Sequence, residues 1–411
     1  MKIALVSAEY PYDEISAGGI GTYVFELSRA LESAGHYTEV FCASLKENGY
    51  FVNSSNVRIN KIYIPNGDTT KFKNQVELVF EARHKEIHFD VMESPEYGAD
   101  ALYIKNKFPN LPLVVKFHTP LFLAKSFENR KPEFINYFQL RYLKLLNRNT
   151  YNFLIDKNYK KEIDDEFIIA NKAEIVCSPS LSLIKIIKKN WNLNYITHVP
   201  NLFSPSEKYL DIPQKKQENK TIVSFFGSLC TRKGIEGFLK VIPAVVKKNP
   251  NIEFRFIGKD NWGRKFNSTT KEIFDKKIKN CTSNYVFIGN VPLVDIPNYL
   301  KETDICIFPS IWENFPYVCL ETMSAGKYVI ASKDTGMAEM LSNGGGMLID
   351  PLKPNEISKV IIESVNKIDE ILKQGLLGRK NVIENYNSEK IIPQVIKLYT
   401  KAIELAKLKQ H

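Results

Sequence analysis

The stretch "PSIWENFPYVCLETMSAG", from Pro309 to Gly326, contains two glutamates, Glu313 and Glu321, with seven residues between them. Their neighbours are mostly apolar or aromatic. A buried carboxylate without a partner is destabilising by several kcal/mol, or its pKa rises until the group is neutral. Both side chains therefore need hydrogen-bond donors, and the nature of these donors is the first question that the sequence raises.

A second candidate site lies in "FFGSLCTRKGIEGFL", where Arg232 and Lys233 precede a helix predicted to begin near Ile235. Two cations beside a helix N-terminus form an anion site that suits a diphosphate. The alternative is a loop tip whose basic side chains are merely solvated. We expect no metal site, because the chain has no D-x-D triplet, and "RHKEIHFD" lacks the glutamate directly after the first histidine that a metalloprotease signature needs.

Two further candidates lie in the first half of the chain. In "SAGGIGTYVFELSRAL", Gly18, Gly19 and Gly21 open a predicted helix, so backbone N–H groups there can approach a phosphate or a sugar. The spacing is not that of a nicotinamide site, and a tight turn without a ligand stays an alternative. In "VVKFHTP", His118 lies at a strand end, where it is placed to touch a substrate hydroxyl, although many single histidines are structural.

Strands alternate with amphipathic helical stretches along the whole chain, which predicts parallel sheets covered on both faces. In the first half we predict strands at Lys2–Ala8, Thr38–Ala43, Val57–Ile64, Asp90–Glu93, Leu113–Phe117 and Glu174–Ser178. In the second half we predict strands at Thr221–Phe226, Ile252–Ile257, Tyr285–Ile288, Asp304–Phe308 and Tyr328–Ala331.

The proline-containing, polar stretch from Thr197 to Lys220 is predicted to be an interdomain linker. We therefore predict an α/β protein with two Rossmann-like, doubly wound domains, residues 1–200 and 201–386, that face a cleft. A final helix is predicted in residues 387–411.

These elements place the two glutamates. "DICIFPS" is a predicted strand, so Glu313 falls in the loop at its carboxyl end and Glu321 lies about one turn into the next helix. Sugar hydroxyls are suitable donors for both carboxylates, since a vicinal diol such as a ribose donates two hydrogen bonds well. The N–H groups of Phe315, Tyr317 and Val318 at the helix start are expected to face a diphosphate.

Composition indicates a globular protein of 411 residues, 44% apolar and 25% charged, with six scattered cysteines typical of reduced core residues. No apolar run reaches the roughly 18 residues of a membrane span. The start, "MKIALVSAEYPYDE", predicts a strand rather than a signal peptide, so we expect a cytoplasmic protein.

The net charge of +10 is concentrated between Ile104 and Lys161, where 12 Lys or Arg residues stand against 3 acids. A predicted helix within "NYFQLRYLKLLNRNTYNFL" mixes these cations with aromatic and aliphatic side chains. Such a helix suits an anionic membrane surface or an anionic ligand, and the first of these predicts peripheral association with the inner face of the cell membrane. The alternative is a solvated basic face on a core helix.

Six segments then carry a family resemblance in the expected order over most of the chain: "AGGIGTYV", "FHTP", "HVPNLF", "GSLCTRKGIEGFL", "FIGNV" and "PSIWENFPYVCLETMSAGKYVIASKDTGMAEML". They resemble the retaining glycosyltransferases of family 4, which have the GT-B fold. The last segment is the most specific, because Glu313 and Glu321 match the E-x7-E element of that family.

The resemblance implies that Glu313 contacts the donor sugar, that Glu321 contacts the nucleotide ribose, and that Lys233, helped by Arg232, holds the diphosphate. His118, Glu313 and Lys233 become the catalytic candidates. The implied donor-binding residues are Gly19, Arg232, Lys233, Asn314, Phe315, Pro316, Tyr317, Val318 and Glu321. The last helix is expected to cross back to the first domain.

The sequence departs from the family pattern at Ser228, where many members have an arginine, so Arg232 is a candidate replacement. Met337 in "TGMAE" and Tyr328 also depart from the usual residues, with expected effects on loop shape. The implied activity is transfer of a hexose-type sugar, without cofactor or metal, from a nucleoside-diphosphate sugar, preferably a UDP-sugar, with GDP-mannose as an alternative. The implied acceptor is a hydroxyl of a glycan, lipid-linked or protein acceptor, in surface polysaccharide or glycolipid synthesis.

Three other classes stay open. A sugar-nucleotide epimerase and a glycosyl phosphorylase share the two-domain architecture. A basic protein that binds nucleic acid or a membrane without catalysis is consistent with the charge surplus. It leaves the paired glutamates unexplained, and aromatic motifs that stack on bases are absent from the sequence, so we expect no nucleic-acid partner.

Overall fold

The computed structural model describes the chain except for residues 12–17, 66–67, 69–70, 129–157, 194, 215–216, 218–219 and 410–411. The chain forms two compact units. Unit 1 comprises Met1–Ala124, Ile155–Ser204 and Tyr386–His411, and the stretch Pro205–Asn385 belongs to unit 2. Each unit is built on one mainly parallel sheet, so the α/β architecture with two such domains is confirmed.

Unit 1 contains an eight-stranded sheet in the order β3-β4-β2-β1-β5-β6-β7-β8. The strands are β1 (Lys2–Val6), β2 (Tyr37–Ser44), β3 (Gly49–Val52), β4 (Arg58–Tyr63), β5 (Val91–Pro95), β6 (Leu113–Lys116), β7 (Ile175–Ser178) and β8 (Ile196–His198). Strand β3 runs antiparallel to β4, and the other neighbours are parallel.

Helices accompany this sheet, and one of them, Leu121–Glu128, begins in unit 1 and continues beyond its boundary at Ala124. In chain order they are α1 (Gly19–Ser33), α2 (Phe72–Ile87), α3 (Leu102–Lys107), α4 (Leu121–Glu128), α5 (Asp165–Lys172) and α6 (Leu181–Trp191). A later helix, α15 (Ser388–Leu408), packs on β5, β6, β7 and α1. Its Tyr399 hydroxyl donates a hydrogen bond of 2.8 Å to Glu93 of β5, which also accepts one of 2.8 Å from Tyr23.

Unit 2 contains a six-stranded sheet in the order β11-β10-β9-β12-β13-β14, with every neighbouring pair parallel. The strands are β9 (Thr221–Phe226), β10 (Ile252–Ile257), β11 (Tyr285–Gly289), β12 (Ile305–Phe308), β13 (Tyr328–Ser332) and β14 (Gly346–Ile349). The helices are α7 (Glu207–Leu210), α8 (Phe238–Val246), α9 (Thr270–Lys277), α10 (Ile296–Lys301), α11 (Tyr317–Ser324), α12 (Gly336–Met340), α13 (Pro354–Asn366) and α14 (Ile368–Asn385).

Hydrophobic runs explain why the central strands form. Every residue of β9 and of β12 is buried, as expected for parallel strands with helices on both faces. The eleven predicted strands are present, with ends that differ by at most two residues from the prediction. The linker prediction is wrong at its start, because Thr197 and His198 belong to β8, which pairs with β7.

Within the described residues, no helix is both long enough and apolar enough to span a lipid bilayer. The predicted basic helix within residues 136–154 lies outside the described residues. Six of the twelve basic residues between Ile104 and Lys161 also fall within 129–157.

Candidate functional site

The candidate site of unit 2 lies where the order of its strands reverses. Strand β9 pairs with β10 on one side and with β12 on the other. Strands β10 and β11 are added on one side of β9, and β12 to β14 are added on its other side. At such a switch point the loops that follow the two strands diverge and leave a crevice, which is where open α/β sheets bind ligands. The loop after β9 carries Arg232 and Lys233, and the loop after β12 carries Glu313.

These two loops are packed backbone against backbone. Gly234 has a φ of +79°, and a Cβ added there would lie 2.0 Å from the carbonyl oxygen of Pro309. The N–H of Ile311 donates a 2.8 Å hydrogen bond to the carbonyl of Arg232. Only glycine permits this approach, so the short 3-10 turn Thr231–Lys233 is held against the loop that carries Glu313.

Both cations bind the same carboxylate. Glu313 Oε1 lies 2.7 Å from Arg232 Nη1 and 2.5 Å from Lys233 Nζ. Arg232 Nη1 also donates to the carbonyl of Trp312 at 3.3 Å. Burial alone would raise the pKa of Glu313, but the charges and hydrogen bonds of Lys233 and Arg232 outweigh burial and hold this pKa below its usual value. Glu313 is therefore ionised at neutral pH.

Helix α11 begins directly beside this cluster. It starts at Tyr317 after Pro316, and its first turn contains no acidic residue and, among the described atoms, no side-chain cap. The N-terminus of a helix carries a partial positive charge that favours an anion. Asn314 and Phe315 are buried in the preceding loop, and Val318 lies in the first turn.

Glu321 lies in the second turn of α11, as predicted, and is partly exposed. A third loop joins the site, because the N–H of Gly336, after β13, donates to the carbonyl of Glu313 at 3.1 Å. Sequence reasoning missed this contact. The glycine of "TGMAE" was its only signal.

Ser228 stands where the resemblance noted in the sequence leads us to expect an arginine. Its hydroxyl accepts a 2.5 Å hydrogen bond from the amide of Asn261, in the loop after β10. In the structure the cation nearest to Glu313 besides Lys233 is Arg232. A replacement of the usual arginine by Arg232 stays a prediction.

Gly19 and His118 both lie in unit 1. Gly19 is the first residue of α1, and a Cβ added there would meet nothing within 4 Å. The neighbouring N–H groups of Gly18 and Gly21 donate to Glu9 at 3.0 and 3.4 Å. The glycine loop thus already has an internal carboxylate at its helix N-terminus, which sequence reasoning missed.

His118 is the second residue after the end of β6, and its N–H donates to both carboxylate oxygens of Glu96, at 2.9 and 2.8 Å. Its ring packs edge-on against Tyr23 with the ring centroids 5.1 Å apart. Burial, together with the charge of Lys116, lowers the pKa of His118 to about 3. The imidazole is therefore neutral at physiological pH, and it can exchange hydrogen bonds with a substrate but carries no positive charge.

Unit 1 also contains a cavity of about 360 Å³ that sequence reasoning missed. It lies after the carboxyl ends of β1 and β5 and contains five carboxylates and one lysine. The charged lining residues are Glu9, Lys73, Asp100, Asp164, Asp165 and Glu166. The sequence indicated this cavity only through Glu9, which follows the first predicted strand. The other carboxylates lie about 90 or more residues later in the chain. Among the described residues no group of three or more side chains is arranged to hold a metal ion.

Solved structures with the same fold identify the class of architecture. Sucrose-phosphate synthase from Thermosynechococcus elongatus aligns with a TM-score of 0.73 at 18% identity, covering 98% of this chain and 99% of that one. Anabaena HepE in complex with UDP-glucose aligns with a TM-score of 0.65 at 17% identity, covering 97% and 99%. Both similarities show the fold alone, which is that of GT-B glycosyltransferases.

Family models match nearly the whole chain in two parts. The model "Glycosyltransferase Family 4" matches residues 17–206, and "Glycosyl transferases group 1" matches residues 208–370. The chain belongs to this glycosyltransferase superfamily. It is also similar to the MMP alpha-(1->4)-mannosyltransferase of Mycolicibacterium hassiacum, with 21% identity over 98% of both chains. With other curated relatives, such as an uncharacterized glycosyltransferase of Methanocaldococcus jannaschii, the match spans about half of the relative's length (46%).

Proposed function

We propose that the protein is a retaining glycosyltransferase that moves a hexose-type sugar from a nucleoside-diphosphate sugar to an acceptor hydroxyl without a metal ion. The observation that carries this proposal is the cluster of Arg232, Lys233 and Glu313 at the switch point of the unit 2 sheet, beside the N-terminus of α11. Two cations and helix-terminal amides suit a diphosphate, and carboxylates on the same rim suit sugar hydroxyls.

In this proposal the bond between the anomeric carbon and the diphosphate oxygen breaks, while the acceptor oxygen bonds to the same face of that carbon. The acceptor's proton passes to the leaving diphosphate, so the protein supplies no proton. Arg232, Lys233 and the amides of α11 offset the negative charge that grows on the diphosphate. Glu313 holds hydroxyls of the donor sugar, Glu321 holds the ribose, and Gly19 and His118 contribute to donor-sugar binding.

The preferred donor is a UDP-sugar, because HepE, which shares the fold, binds UDP-glucose in its solved structure. GDP-mannose is the alternative. The proposed acceptor is a glycan or a lipid-linked precursor of a surface polysaccharide. One relative in part of the chain is named lipopolysaccharide 1,2-N-acetylglucosaminetransferase, from Salmonella typhimurium, with 28% identity over 48% of this chain.

Peripheral membrane association is part of the proposal. It depends on the basic residues between Ile104 and Lys161, and two of these are bound inside the protein. Lys105 donates to Glu174 at 2.9 Å and to two backbone carbonyls, and Lys116 is buried with its ammonium 2.5 Å from the carbonyl of Val199. These lysines are not available to a membrane. Co-sedimentation with anionic lipid vesicles at low salt tests the remaining charge, and a protein that stays in the supernatant contradicts the association.

A thermal-shift panel of UDP-, GDP- and ADP-sugars tests the donor class. A ligand at 100 times its Kd stabilises the folded protein by about 2.7 kcal/mol. With the donor found, NDP release that needs an added acceptor separates transfer from epimerisation. The anomeric configuration of the product, read by NMR, tests retention, and a loss of activity with EDTA contradicts the metal-free mechanism.

The phosphate site is tested with Lys233→Met. Loss of one preorganised cation is expected to lower kcat on the order of 10²-fold. Lys248→Met, at an exposed lysine that follows α8, removes the same charge away from the site and serves as the control. Near-wild-type turnover of Lys233→Met would contradict the assignment.

The two glutamates are expected to differ in their roles. Glu321→Ala should mainly raise the Kd for the nucleotide, because the ribose loses its acceptor. Glu313→Ala should mainly lower kcat, because the donor sugar is no longer oriented. Identical kinetic profiles of the two variants would contradict this division of roles.

A further inference from the structure

The two cations that are proposed to hold the diphosphate already hold an internal anion. Arg232 and Lys233 both contact one oxygen of Glu313, Oε1, at 2.7 and 2.5 Å. The side chains are 30% exposed for Arg232, 14% for Lys233 and 11% for Glu313, so these ion pairs are partly shielded from water. A diphosphate that enters the site competes with Glu313 for the same N–H donors.

We propose that donor binding is an exchange of anions: the diphosphate takes Arg232 and Lys233 from Glu313, and the released carboxylate accepts hydroxyls of the donor sugar. This inference rests on the proposed function and adds to it a role for Glu313 in selecting the intact donor. A carboxylate can only accept hydrogen bonds, and sugar hydroxyls supply the donors that it loses in the exchange.

The exchange makes the site discriminate between the donor and the product nucleotide. A nucleoside diphosphate alone displaces Glu313 from both cations and offers it nothing in return, although the Glu313 side chain is only 11% exposed and its charge is therefore poorly solvated. A nucleoside-diphosphate sugar offers hydroxyls at the same time. The product nucleotide is therefore bound more weakly than the donor, which favours product release.

The test measures the affinity of the wild type and of Glu313→Gln for UDP, GDP, ADP and their glucose conjugates by isothermal titration calorimetry. The amide keeps the size of the side chain but removes the competing negative charge. We expect Glu313→Gln to bind the preferred nucleoside diphosphate on the order of tenfold more tightly, although it transfers sugar more slowly. We also expect it to lose the preference for the glucose conjugate over the diphosphate that the wild type shows.

Glu236→Gln is the matched control. Glu236 lies three residues after Lys233 and accepts a 2.8 Å hydrogen bond from Thr231, not from either cation. Its substitution removes the same charge from the same segment, and we expect less than a twofold change in affinity. If Glu313→Gln does not fold, Glu313→Asp withdraws the carboxylate by one methylene and should tighten nucleotide binding to a smaller extent.

Three results would overturn the exchange. The first is a Glu313→Gln variant that binds the diphosphate as weakly as the wild type or more weakly. The second is equal tightening in Glu313→Gln and Glu236→Gln, which would make the effect one of overall charge. The third is tighter binding with an unchanged preference for the glucose conjugate. A wild type that binds none of these nucleotides would instead overturn the proposed function, and the exchange with it.

Discussion

Asp100 of unit 1 is expected to make the stability of this unit depend on pH. Its side chain is only 5% exposed, and its Oδ2 accepts a 2.7 Å hydrogen bond from the N–H of Ala8. Burial, with the negative charge of Glu9 nearby, raises the pKa of Asp100 from 3.8 to about 7, against the opposing effects of the Ala8 hydrogen bond and Lys73. The perturbation that tests this is Asp100→Asn, whose amide oxygen can still accept from Ala8.

The magnitude follows from the linkage of protonation to folding. The folded pKa lies above the unfolded pKa, so between pH 4 and pH 7 the folded unit keeps a proton that the unfolded chain has lost. Its free energy of unfolding therefore falls as pH rises, by about 1.4 kcal/mol for each pH unit. Above pH 7 the free energy of unfolding is about 4 kcal/mol lower than at pH 4 because of this group. Asp100→Asn does not titrate at this position, so its free energy of unfolding lacks this decrease.

The assay is urea denaturation followed by tryptophan fluorescence between pH 4 and pH 8. The chain has three tryptophans, and Trp191 of α6 reports on unit 1 when Trp262 and Trp312 of unit 2 are replaced by phenylalanine in both proteins. Values at pH 4 give the cost of the substitution itself. From there the stability of Asp100→Asn should rise relative to the unsubstituted protein, and parallel pH curves would refute the reasoning.

Four further substitutions test packing and burial by urea denaturation. Those in unit 2 are followed with Trp262 and Trp312 in place and Trp191 replaced by phenylalanine, and Tyr399→Phe in unit 1 is followed by Trp191 as above. Gly258→Ala should destabilise unit 2 by about 3 kcal/mol or more, since φ is +149° and the new Cβ would lie 2.0 Å from a backbone oxygen. Its control, Gly289→Ala, has open space at φ +86° and should destabilise by about 1 kcal/mol. Equal losses of stability would contradict the packing argument. Tyr399→Phe should destabilise unit 1 by about 1.5 to 3 kcal/mol, because Glu93 loses one of two tyrosine donors. Lys327→Met should stabilise unit 2 by about 1 to 3 kcal/mol, because the lysine is fully buried and its ammonium has no hydrogen-bond partner among the described atoms; a loss of stability would show that this ammonium is compensated.

The central strands were predictable because parallel strands are buried on both faces and appear as short hydrophobic runs. Strands β3, β8 and β14 were not predictable in this way. They lie at sheet edges, and β3 is antiparallel and largely exposed, while Met347 and Leu348 of β14 face solvent. An edge position alone is not the reason, because β11 is also an edge strand and was predicted. The three missed strands lack a continuous buried run, so pairing with a neighbour selects them.

The residue types of the candidate site were predictable, but its contacts were not. Sequence reasoning placed Arg232, Lys233 and Glu313 in loops after strands and sought sugar hydroxyls as partners for the glutamate. In the structure its donors are the two cations, about 80 residues earlier in the chain, because β9 and β12 are neighbours. The acidic cavity of unit 1 was missed for the same reason, since Glu9 and Asp100 converge only when β1 pairs with β5.

The attachment of α15 to unit 1 has a consequence for the order of events during synthesis. The stretch Pro205–Asn385 of unit 2 leaves the ribosome before Tyr399, which supplies a hydrogen bond in the interior of unit 1. Domains usually fold in the order in which they are made. Here all strands of the unit 1 sheet are synthesised before unit 2. One of the two tyrosines that donate to Glu93, Tyr399, is synthesised only after the stretch Pro205–Asn385 of unit 2. The interior of unit 1, which is made first, is therefore completed last.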